Sequence, residues 1–466
     1  MQQRQSIKLT KNNSHSSTAW SWEAVYFIGI GGIGMSALAR YFHAYGKRVS
    51  GYDKTPSAIT KGLEALGINI HYTDAVSALT NETLDPEKTL IVYTPAIPNT
   101  HAQLLYFKAN NFSIFKRAQV LGQITQNTFC LAVAGTHGKT TTTSILGHIM
   151  AVCQAPVTAF LGGISENYQS NLILEGTDVT VVEADEFDRS FLTLTPNIAC
   201  ITAMDADHLD IYGHAEALEA AFKEFANKLK PDGKLFVKNG LPISGITYGI
   251  EDDAAYSAHN IRIENGGYVF HVKTPVTTLH NVRFYLPGRH NLSNALVALA
   301  MALEYGCPEE TVIAALASYL GVERRFSYQI KTPDLVYIDD YAHHPEEILA
   351  VHQAVREMYP TDSILVVFQP HLYSRTRDFA AGFATSLSLF DSVILLDIYP
   401  AREEPIQGVT AAWLLEKITQ PNKQLVSKQD LIPAIKAQNK NIVLTLGAGD
   451  IGQEVKHIKQ ALQHEN

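Results

Sequence analysis

The chain has 466 residues, which is too long for one hydrophobic core and predicts two to four domains. Its apolar fraction of 46% and charged fraction of 18% indicate a soluble globular protein, and the net charge of -9 argues against a nucleic-acid partner. The four scattered cysteines favour a reducing compartment, and without a signal peptide or an apolar span we expect a cytoplasmic protein with no membrane partner.

The first predicted elements are a strand, a glycine turn and a helix, which follow a polar N-terminal segment. The strand covers Ala24–Ile28, the turn reads GIGGIG at 29–34, and the helix covers 35–45. A second strand ends on Asp53, about 20 residues further on, where an acid can bind a ribose. This G-x-G-x-x-G pattern predicts a phosphate group at the helix N-terminus. A nicotinamide cofactor is one interpretation, and glycines needed only for tight packing are the alternative.

Alternating strands and helices continue to about residue 116. The turn Thr94-Pro95-Ala96-Ile97 ends another strand of this first unit. Ligands of open parallel sheets bind at the carboxyl ends of the strands. We therefore expect this turn to lie near the same phosphate ligand.

A second glycine loop follows the apolar run at 129–134 and reads GTHGKTT at 135–141. A helix is predicted from about Thr140, so strand, turn and helix form a phosphate cradle. Lys139 adds a cation for the outer phosphates, and the Thr140 hydroxyl can ligate Mg²⁺. The loop is shorter than the usual P-loop, because Val133 stands where that pattern needs a small residue. A glycine C-cap between core elements is the alternative to nucleotide binding.

Two acidic segments follow apolar strands in the central part of the chain. The strand at 178–182 ends in Glu183-Ala184-Asp185-Glu186, and the strand at 197–204 ends in a segment at 205–210 that contains His208. An acid at the end of a strand beside a P-loop strand can hold the Mg²⁺ of a nucleotide. Solvated acidic loops are the alternative, and we expect at least one segment to bind metal.

Two asparagines, Asn291 and Asn294, precede a helix predicted at 295–304. Their amides suit adenine, which presents a donor and an acceptor side by side. Asparagine is also a common helix cap, so the spacing leaves both interpretations open.

The last part of the chain, from about residue 327, returns to alternating strands and helices. Polar residues follow its strands, as in DDYAHH at 339–344 and QPHLYSRTR at 369–377. Adjacent side chains on an extended backbone point in opposite directions, so His343-His344 is not a metal signature by itself. For either histidine alone, a structural role is as plausible as a functional one.

Taken together, these motifs resemble those of the Mur ligase family of ATP-dependent amide-forming enzymes. The resemblance covers nearly the whole chain from about Ala24 and is more specific than either glycine loop alone. The matching segments are GIGGIGMS at 29–36, GTHGKTTTT at 135–143, EADEFD at 183–188, DHLDIYG at 207–213, GRHNLSNA at 288–295, GVERRF at 321–326, DDYAHHP at 339–345 and FQPHLYSRTR at 368–377.

The resemblance implies an α/β fold with three domains. A flexible tail at 1–22 would precede a Rossmann-like UDP-sugar-binding domain at 23–116. A central P-loop ATPase-like domain at 117–326 would bind ATP, and a C-terminal Rossmann-like domain at 327–466 would close over ATP and the amino acid. The first loop would then lie against the diphosphate of the UDP-sugar, which replaces the nicotinamide interpretation.

The implied activity joins L-alanine to the carboxylate of UDP-N-acetylmuramate through an acyl phosphate, with ADP and phosphate as products. This reaction belongs to peptidoglycan precursor synthesis, and so to cell wall biogenesis, cell shape, cell division and the cell cycle. The implied cofactors are ATP and two Mg²⁺ ions. The sequence leaves open whether the chain is a monomer or a homodimer.

The resemblance also assigns residues to roles. The catalytic residues would be Lys139, Glu183, His208 and His343. The ATP-binding residues would be Gly135, Thr136, His137, Gly138, Lys139, Thr140, Thr141, Asn291, Asn294, Arg325 and Asp340. The UDP-sugar-binding residues would be Gly29, Ile30, Gly31, Gly32, Ile33, Gly34, Asp53, Thr94, Ala96 and Ile97. The amino-acid-binding residues would be Tyr341, His343, Arg375 and Arg377, and the metal ligands Thr140, Glu183 and His208.

The chain departs from the family pattern at two places. Ala203 and Met204 stand where the family often has an asparagine before its DHLD segment. Relatives that add later amino acids carry a modified lysine fourteen residues after the DHLD histidine, and Phe222 stands there instead. The alanine-adding branch is expected to lack that lysine, so the second departure favours this branch. A nucleotide switch without turnover and an oxidoreductase remain alternatives from other classes.

Overall fold

The structure is a computed structural model that describes residues 20–80, 85–205, 215–401 and 403–463. Two predicted features therefore lie outside the described residues: most of the N-terminal tail, and the DHLDIYG segment with His208. The chain forms two compact units, each described by itself below. The first unit contains Met1–Ile261, Phe270–Arg283 and Ser293–Tyr319, and the second contains Arg262–Val269, Phe284–Leu292 and Leu320–Asn466.

The first sheet is parallel and has the strand order β3-β2-β1-β4-β5. Its strands are β1 (Ala24–Ile28), β2 (Arg48–Tyr52), β3 (Asn69–His71), β4 (Thr89–Tyr93) and β5 (Ser113–Lys116). Its helices are α1 (Ile33–Ala44), α2 (Ala58–Glu64), α3 (Ala102–Ala109) and α4 (Arg117–Gln126). Strand order reverses between β1 and β4, and ligands bind at such switch points. The first glycine loop follows β1 and the Thr94 turn follows β4, so both lie at this point.

The second sheet has ten strands in the order β15-β14-β13-β12-β11-β10-β6-β9-β7-β8. The strands are β6 (Phe129–Ala134), β7 (Val157–Ser165), β8 (Ser170–Leu174), β9 (Val179–Ala184), β10 (Ile198–Ile201), β11 (Lys234–Lys238), β12 (Ile246–Ile250), β13 (Tyr256–Glu264), β14 (Gly267–Lys273) and β15 (Thr278–Phe284). The helices are α5 (Lys139–Val152), α6 (Ala215–Ala226), α7 (Arg289–Tyr305) and α8 (Glu309–Ser318). The P-loop strand β6 lies between β9 and β10, the two strands that precede the acidic segments.

The third sheet has the order β16-β17-β21-β18-β19-β20 and is parallel except for β16. Its strands are β16 (Ser327–Lys331), β17 (Val336–Asp340), β18 (Ile364–Phe368), β19 (Ser392–Leu395), β20 (Lys423–Leu425) and β21 (Ile442–Leu446). Its helices are α9 (Pro345–Met358), α10 (Tyr373–Asp378), α11 (Ala380–Leu387), α12 (Ala411–Lys417), α13 (Leu431–Gln438) and α14 (Ile451–Gln463). Strands β17 and β18, which carry the predicted amino-acid site at their carboxyl ends, flank β21.

Buried apolar strands form the core of each sheet, as the continuous hydrophobic runs predict for parallel sheets. Cys130 and Cys200 are fully buried in β6 and β10, which confirms them as core residues. Trp20 and Trp22 pack against the same core, with the Trp20 ring 5.3 Å from the Phe42 ring. Within the described residues, no helix has both the length and the apolar character needed to cross a membrane.

One predicted helix start is wrong, and it bears on two site residues. Helix α7 begins at Arg289, so Asn291 and Asn294 lie inside the helix and neither caps it. Both are nearly buried, and the Asn291 amide donates to the Pro287 carbonyl at 2.6 Å, so local contacts override the capping preference of asparagine. Helix α10 has six residues, and Arg375 and Arg377 are its third and fifth residues.

Candidate active site

The second glycine loop joins β6 to α5, and both of its glycines are required by their surroundings. Gly135 has a φ of +134°, and a Cβ there would collide with Thr202 Oγ1. Gly138 has a φ of +81°, and a Cβ there would lie 2.5 Å from Asn294 Oδ1. The structure thus places the predicted adenine ligand Asn294 directly against the loop.

Lys139 is held across this loop at the first position of α5. Its Nζ donates to the Gly135 carbonyl at 2.7 Å and lies 2.8 Å from Glu186 Oε2. Glu186 is fully buried, and Lys139 is a charged partner beside it. Sequence reasoning missed Glu186 as a partner of Lys139, although a P-loop lysine followed by an acidic strand end is a signal for such a pair.

The segment after β10 contacts the same loop. The Thr136 amide donates to the Ala203 carbonyl, and the Asp205 amide donates to Thr136 Oγ1, each at 3.1 Å. His137 Nε2 lies 3.7 Å from Asp205 Oδ2. Ala203, one of the two departures from the family pattern, therefore contacts the loop through its backbone, which any residue could supply.

Two of the three predicted metal ligands lie in the described residues. Glu183 is on β9, in register with Val133 of the P-loop strand, and its carboxylate packs against Gly162. Glu183 lies at the carboxyl end of β9, and the strand runs two residues further than predicted, to Ala184. Thr140 and Thr141 lie in the first turn of α5. Carboxylate and hydroxyl oxygens are donors that Mg²⁺ prefers.

The first glycine loop is tied to two other strand ends of its sheet. The Gly31 amide donates to Asp53 Oδ2 at 2.7 Å, and a Cβ at Gly31 would lie 2.8 Å from the same oxygen. Gly31 does not have a positive φ, so the close carboxylate and not a left-handed backbone requires glycine there. Gly29 has a φ of +89°, and a Cβ there would lie 3.0 Å from Thr94 Cγ2 and 3.4 Å from Ile97 Cδ1.

A cavity of about 330 Å³ connects the first loop with the metal-ligand candidate of the second. Its lining includes Gly32, Gly34, Thr94 and Glu183. Ala96 and Ile33 also line it. Asp53 contacts the first loop but does not line the cavity. Arg117 lines the cavity as well, and sequence reasoning assigned it no role. The carboxyl-end rule, applied to the last strand of the first sheet, would have indicated it.

In the second unit, Asp340 organises the predicted ATP and amino-acid residues around the end of β17. Its carboxylate accepts hydrogen bonds from the amides of Phe326 at 2.6 Å and Ala342 at 2.7 Å. Burial raises the pKa of Asp340 to about 6. The guanidinium of Arg325 lies 5.2 Å from the centre of the Tyr341 ring, which is within cation–π range.

His343, His371 and Arg375 form a group at the ends of β17 and β18. The His343 ring lies 5.3 Å from the Tyr341 ring and 6.1 Å from the His371 ring. Burial lowers the pKa of His343, and burial with the neighbouring His343 and Arg375 lowers the pKa of His371 to about 4. Both imidazoles are therefore neutral near pH 7, and Arg375 supplies positive charge to this group.

Arg377 differs from Arg375 although both lie on α10. Its side chain is 52% exposed, and its Nε pairs with Asp378 Oδ1 at 2.8 Å. The structure therefore brings Tyr341, His343 and Arg375 together and leaves Arg377 on the surface. Of the two arginines predicted to bind the amino acid, Arg375 lies near the other residues of this group and Arg377 does not.

Family models match three consecutive parts of the chain. Residues 24–128 match the Mur ligase family, catalytic domain, residues 133–302 match the Mur ligase middle domain, and residues 324–449 match the Mur ligase, glutamate ligase domain. A UDP-N-acetylmuramate–L-alanine ligase of Flavobacterium psychrophilum is 61% identical over 441 residues, which are 95% of this chain and 98% of that protein. The chain belongs to the Mur ligase family.

Further relatives agree with this membership. A UDP-N-acetylmuramate–L-alanine ligase of Parabacteroides distasonis is 48% identical, with 94% of this chain and 97% of that protein covered. The crystal structure of a UDP-N-acetylmuramate-alanine ligase from Thermotoga maritima superimposes with a TM-score of 0.81 at 27% identity and covers 95% of this chain and 100% of that one. These matches confirm the predicted three-domain α/β fold of this Mur ligase.

Proposed function

We propose that this Mur ligase joins L-alanine to the carboxylate of UDP-N-acetylmuramate at the expense of ATP, in peptidoglycan synthesis. The 61% identity to a relative of that name over 95% of the chain is the observation that carries the proposal. The cavity supports it, because the first loop and Glu183 line one space. A sugar nucleotide on the first loop can thus present a group to the P-loop side. We place the reaction in the cytoplasm, where ATP is available.

The chemistry requires activation of the carboxylate, because its oxygen is a poor leaving group. A carboxylate oxygen of the sugar nucleotide attacks the γ-phosphorus of ATP, the bond to ADP breaks, and an acyl phosphate forms. The amine of L-alanine then attacks the acyl carbon, and inorganic phosphate leaves with that oxygen. Anions must approach each other in the first step, so positioned positive charge is the main catalytic requirement.

Residues of the first unit meet this requirement. Gly135 and Gly138 allow the loop backbone to approach the phosphates, and Lys139 directs its ammonium group at the outer ones. Glu183 and Thr140 supply oxygen donors that fit Mg²⁺, and His208, which lies outside the described residues, is our third candidate ligand. When bound, Mg²⁺ would neutralise charge that develops on the phosphates.

Residues of the second unit are proposed to hold the remaining groups. Asn291, Arg325 and Asp340 are assigned to ATP, and Tyr341, His343 and Arg375 to L-alanine. A guanidinium matches the alanine carboxylate with two parallel hydrogen bonds. Because burial lowers the pKa of His343, it is a weak proton acceptor, and we assign it to holding the amino acid.

Phosphate release from ATP tests the proposal. We expect release only when UDP-N-acetylmuramate and an amino acid are both present, with L-alanine preferred over glycine and L-serine. Mass spectrometry should detect the alanyl product in equal amount. Phosphate release that needs neither co-substrate would identify some other ATPase, and a fluorescence change on titration with reduced nicotinamide would favour the oxidoreductase alternative.

A further inference from the structure

Arg117 lines the cavity that the first glycine loop shares with Glu183 of β9. It is the first residue of α4 and directly follows β5, the edge strand beside β4. The carboxyl ends of β1, β4 and β5 face the same edge of this parallel sheet. Arg117 therefore belongs to the same strand-end surface as the first glycine loop and the Thr94 turn.

The guanidinium of Arg117 packs against the first turn of α1. A Cβ at Gly34 would lie 2.6 Å from one terminal nitrogen of Arg117 and 3.1 Å from its central carbon. Asp185 Oδ2 lies 3.9 Å from Arg117 NH2, which is longer than a hydrogen bond. This ion pair orients the side chain without using its N–H donors, and the side chain keeps 28% of its surface exposed.

The charges around the cavity require a cation for an anionic ligand. Glu183 and Asp185 contribute carboxylates, and among the described residues that line the cavity Arg117 is the single lysine or arginine. A helix N-terminus contributes about half an elementary charge, which does not balance a diphosphate beside two carboxylates. The second glycine loop carries its own cation in Lys139, whereas the first loop has none within it.

We propose that Arg117 binds the diphosphate of the sugar nucleotide and supplies the positive charge that the first glycine loop lacks. The inference rests on the proposed function, since it takes the sugar nucleotide as the ligand of the cavity. It assigns the guanidinium to the diphosphate and not to the reacting carboxylate, because Arg117 packs against Gly34 at the start of α1, where the phosphates are expected.

Isothermal titration calorimetry on Arg117→Gln tests this assignment with two ligands. UDP-N-acetylglucosamine carries the diphosphate but has no lactyl carboxylate, whereas UDP-N-acetylmuramate carries both. We expect both affinities to fall about tenfold to a hundredfold, as for loss of a charge-assisted hydrogen bond. ATP affinity should stay unchanged, which also reports that the variant is folded. A loss for UDP-N-acetylmuramate alone would overturn the assignment in favour of the carboxylate, and unchanged affinities would overturn it outright.

Three further variants separate binding from structure. Arg48→Gln is the matched control. Arg48 is exposed and pairs with Glu23 at the amino-terminal end of the strands of the same sheet, away from the cavity, so both affinities should be unaffected. Arg117→Lys should retain part of the affinity for both sugar nucleotides. If Arg117→Gln fails to fold, the same titrations are made with Arg117→Lys. Asp185→Asn should leave sugar-nucleotide affinity unchanged or raise it, because it removes a competitor for Arg117. If Asp185→Asn lost as much sugar-nucleotide affinity as Arg117→Gln, the role of Arg117 would be only structural, through its ion pair with Asp185.

The wild-type titration distinguishes this inference from the proposed function. If the wild-type enzyme binds neither sugar nucleotide and forms no alanyl product, the proposed function fails. If it binds both and Arg117→Gln binds them equally well, the proposed function stands and the role of Arg117 is wrong.

Discussion

The two glycine loops of the first unit have the same local plan but differ in how positive charge reaches them. Each joins a buried parallel strand to a helix, and each contains a glycine whose Cβ would meet a side chain from a neighbouring element. The second loop places Lys139 at the first helical position and holds it with Glu186 at 2.8 Å. The first loop contains no cation, and the guanidinium of Arg117 packs against its last glycine.

On the proposed function both loops bind phosphate groups, and the glycine pattern alone does not specify the ligand that carries them. In both loops the glycines allow close approach of the backbone. The cation determines which charges can be stabilised and where. A lysine inside the loop suits a phosphoryl group that is transferred, whereas an arginine from another element suits a diphosphate that is only held.

The largest expected effect comes from removing the cation of the second loop. Lys139→Ala should lower kcat about a hundredfold to a thousandfold, because it removes charge stabilisation that matters most in the transition state. Affinity for UDP-N-acetylmuramate should stay near the wild-type value in calorimetry. Lys223→Ala is the matched control, since Lys223 is 53% exposed and pairs with Glu219 on the surface of α6. Near-normal turnover in Lys139→Ala would contradict the proposal that the second loop, and not the first, stabilises the transferred phosphoryl group.

A larger side chain in the first loop should weaken binding of the UDP-sugar and leave binding of ATP intact. Gly31→Val places a branched side chain where Asp53 Oδ2 and Thr60 Cγ2 would each lie 2.8 Å from the Cβ. Overpacking of this kind costs about 1–3 kcal/mol, so UDP-sugar affinity should fall by about tenfold or more. ATP affinity should be nearly unchanged in the same preparation. Loss of ATP binding with intact UDP-sugar binding would reverse the assignment of the two loops.

Arg375 extends the comparison to a strand end without a glycine loop. Arg375→Lys keeps the charge but loses the two-pronged geometry, so the KM for L-alanine should rise about tenfold, as expected for one charge-assisted hydrogen bond. Arg377→Lys on the same helix should have the smaller effect, because Arg377 is exposed and pairs with Asp378. Steady-state kinetics with alanine and ATP varied separately provides the measurement. Equal KM values for both variants and the wild type would place the alanine site elsewhere.

The smallest effect concerns the neutral imidazole beside Arg375. Burial lowers the pKa of His371 from 6.5 to about 4, so between these pH values the folded protein binds fewer protons than the unfolded chain. Stability should therefore rise between pH 4 and 6.5 and level off above. We expect the urea midpoint of the wild type to increase more from pH 5 to pH 7 than that of His371→Gln. Parallel increases would mean that His371 titrates normally.

The positions of the loops and strand ends could be predicted from the sequence because they depend on local patterns. Apolar runs followed by glycines predict β1 and β6 with their helices, and Glu183 lies on the strand beside the P-loop strand as expected. The partners of these residues could not be predicted in the same way. Glu186 meets Lys139 across 47 residues, and Arg117, which follows β5, reaches Gly34, which follows β1, across β4 and the switch point of the sheet.

The asparagines of α7 show the same limit at the level of one helix. Local propensity places asparagine at a helix start, but Asn291 and Asn294 lie within the helix because each contacts a specific partner. The Asn291 partner, Pro287, is four residues away, but the contact of Asn294 with Gly138 depends on elements far apart in the chain, which spacing alone does not specify. The family resemblance supplied their expected role where propensity gave the wrong position.

The ligation chemistry is tested most directly by following one oxygen atom. UDP-N-acetylmuramate labelled with ¹⁸O in its carboxylate should transfer one labelled oxygen to inorganic phosphate in each turnover, because the acyl phosphate carries that oxygen to the leaving group. Mass spectrometry of the released phosphate, with ATP and L-alanine present, gives the result. We predict one ¹⁸O atom per phosphate formed from fully labelled substrate. Alanyl product that forms together with unlabelled phosphate would contradict the acyl-phosphate mechanism.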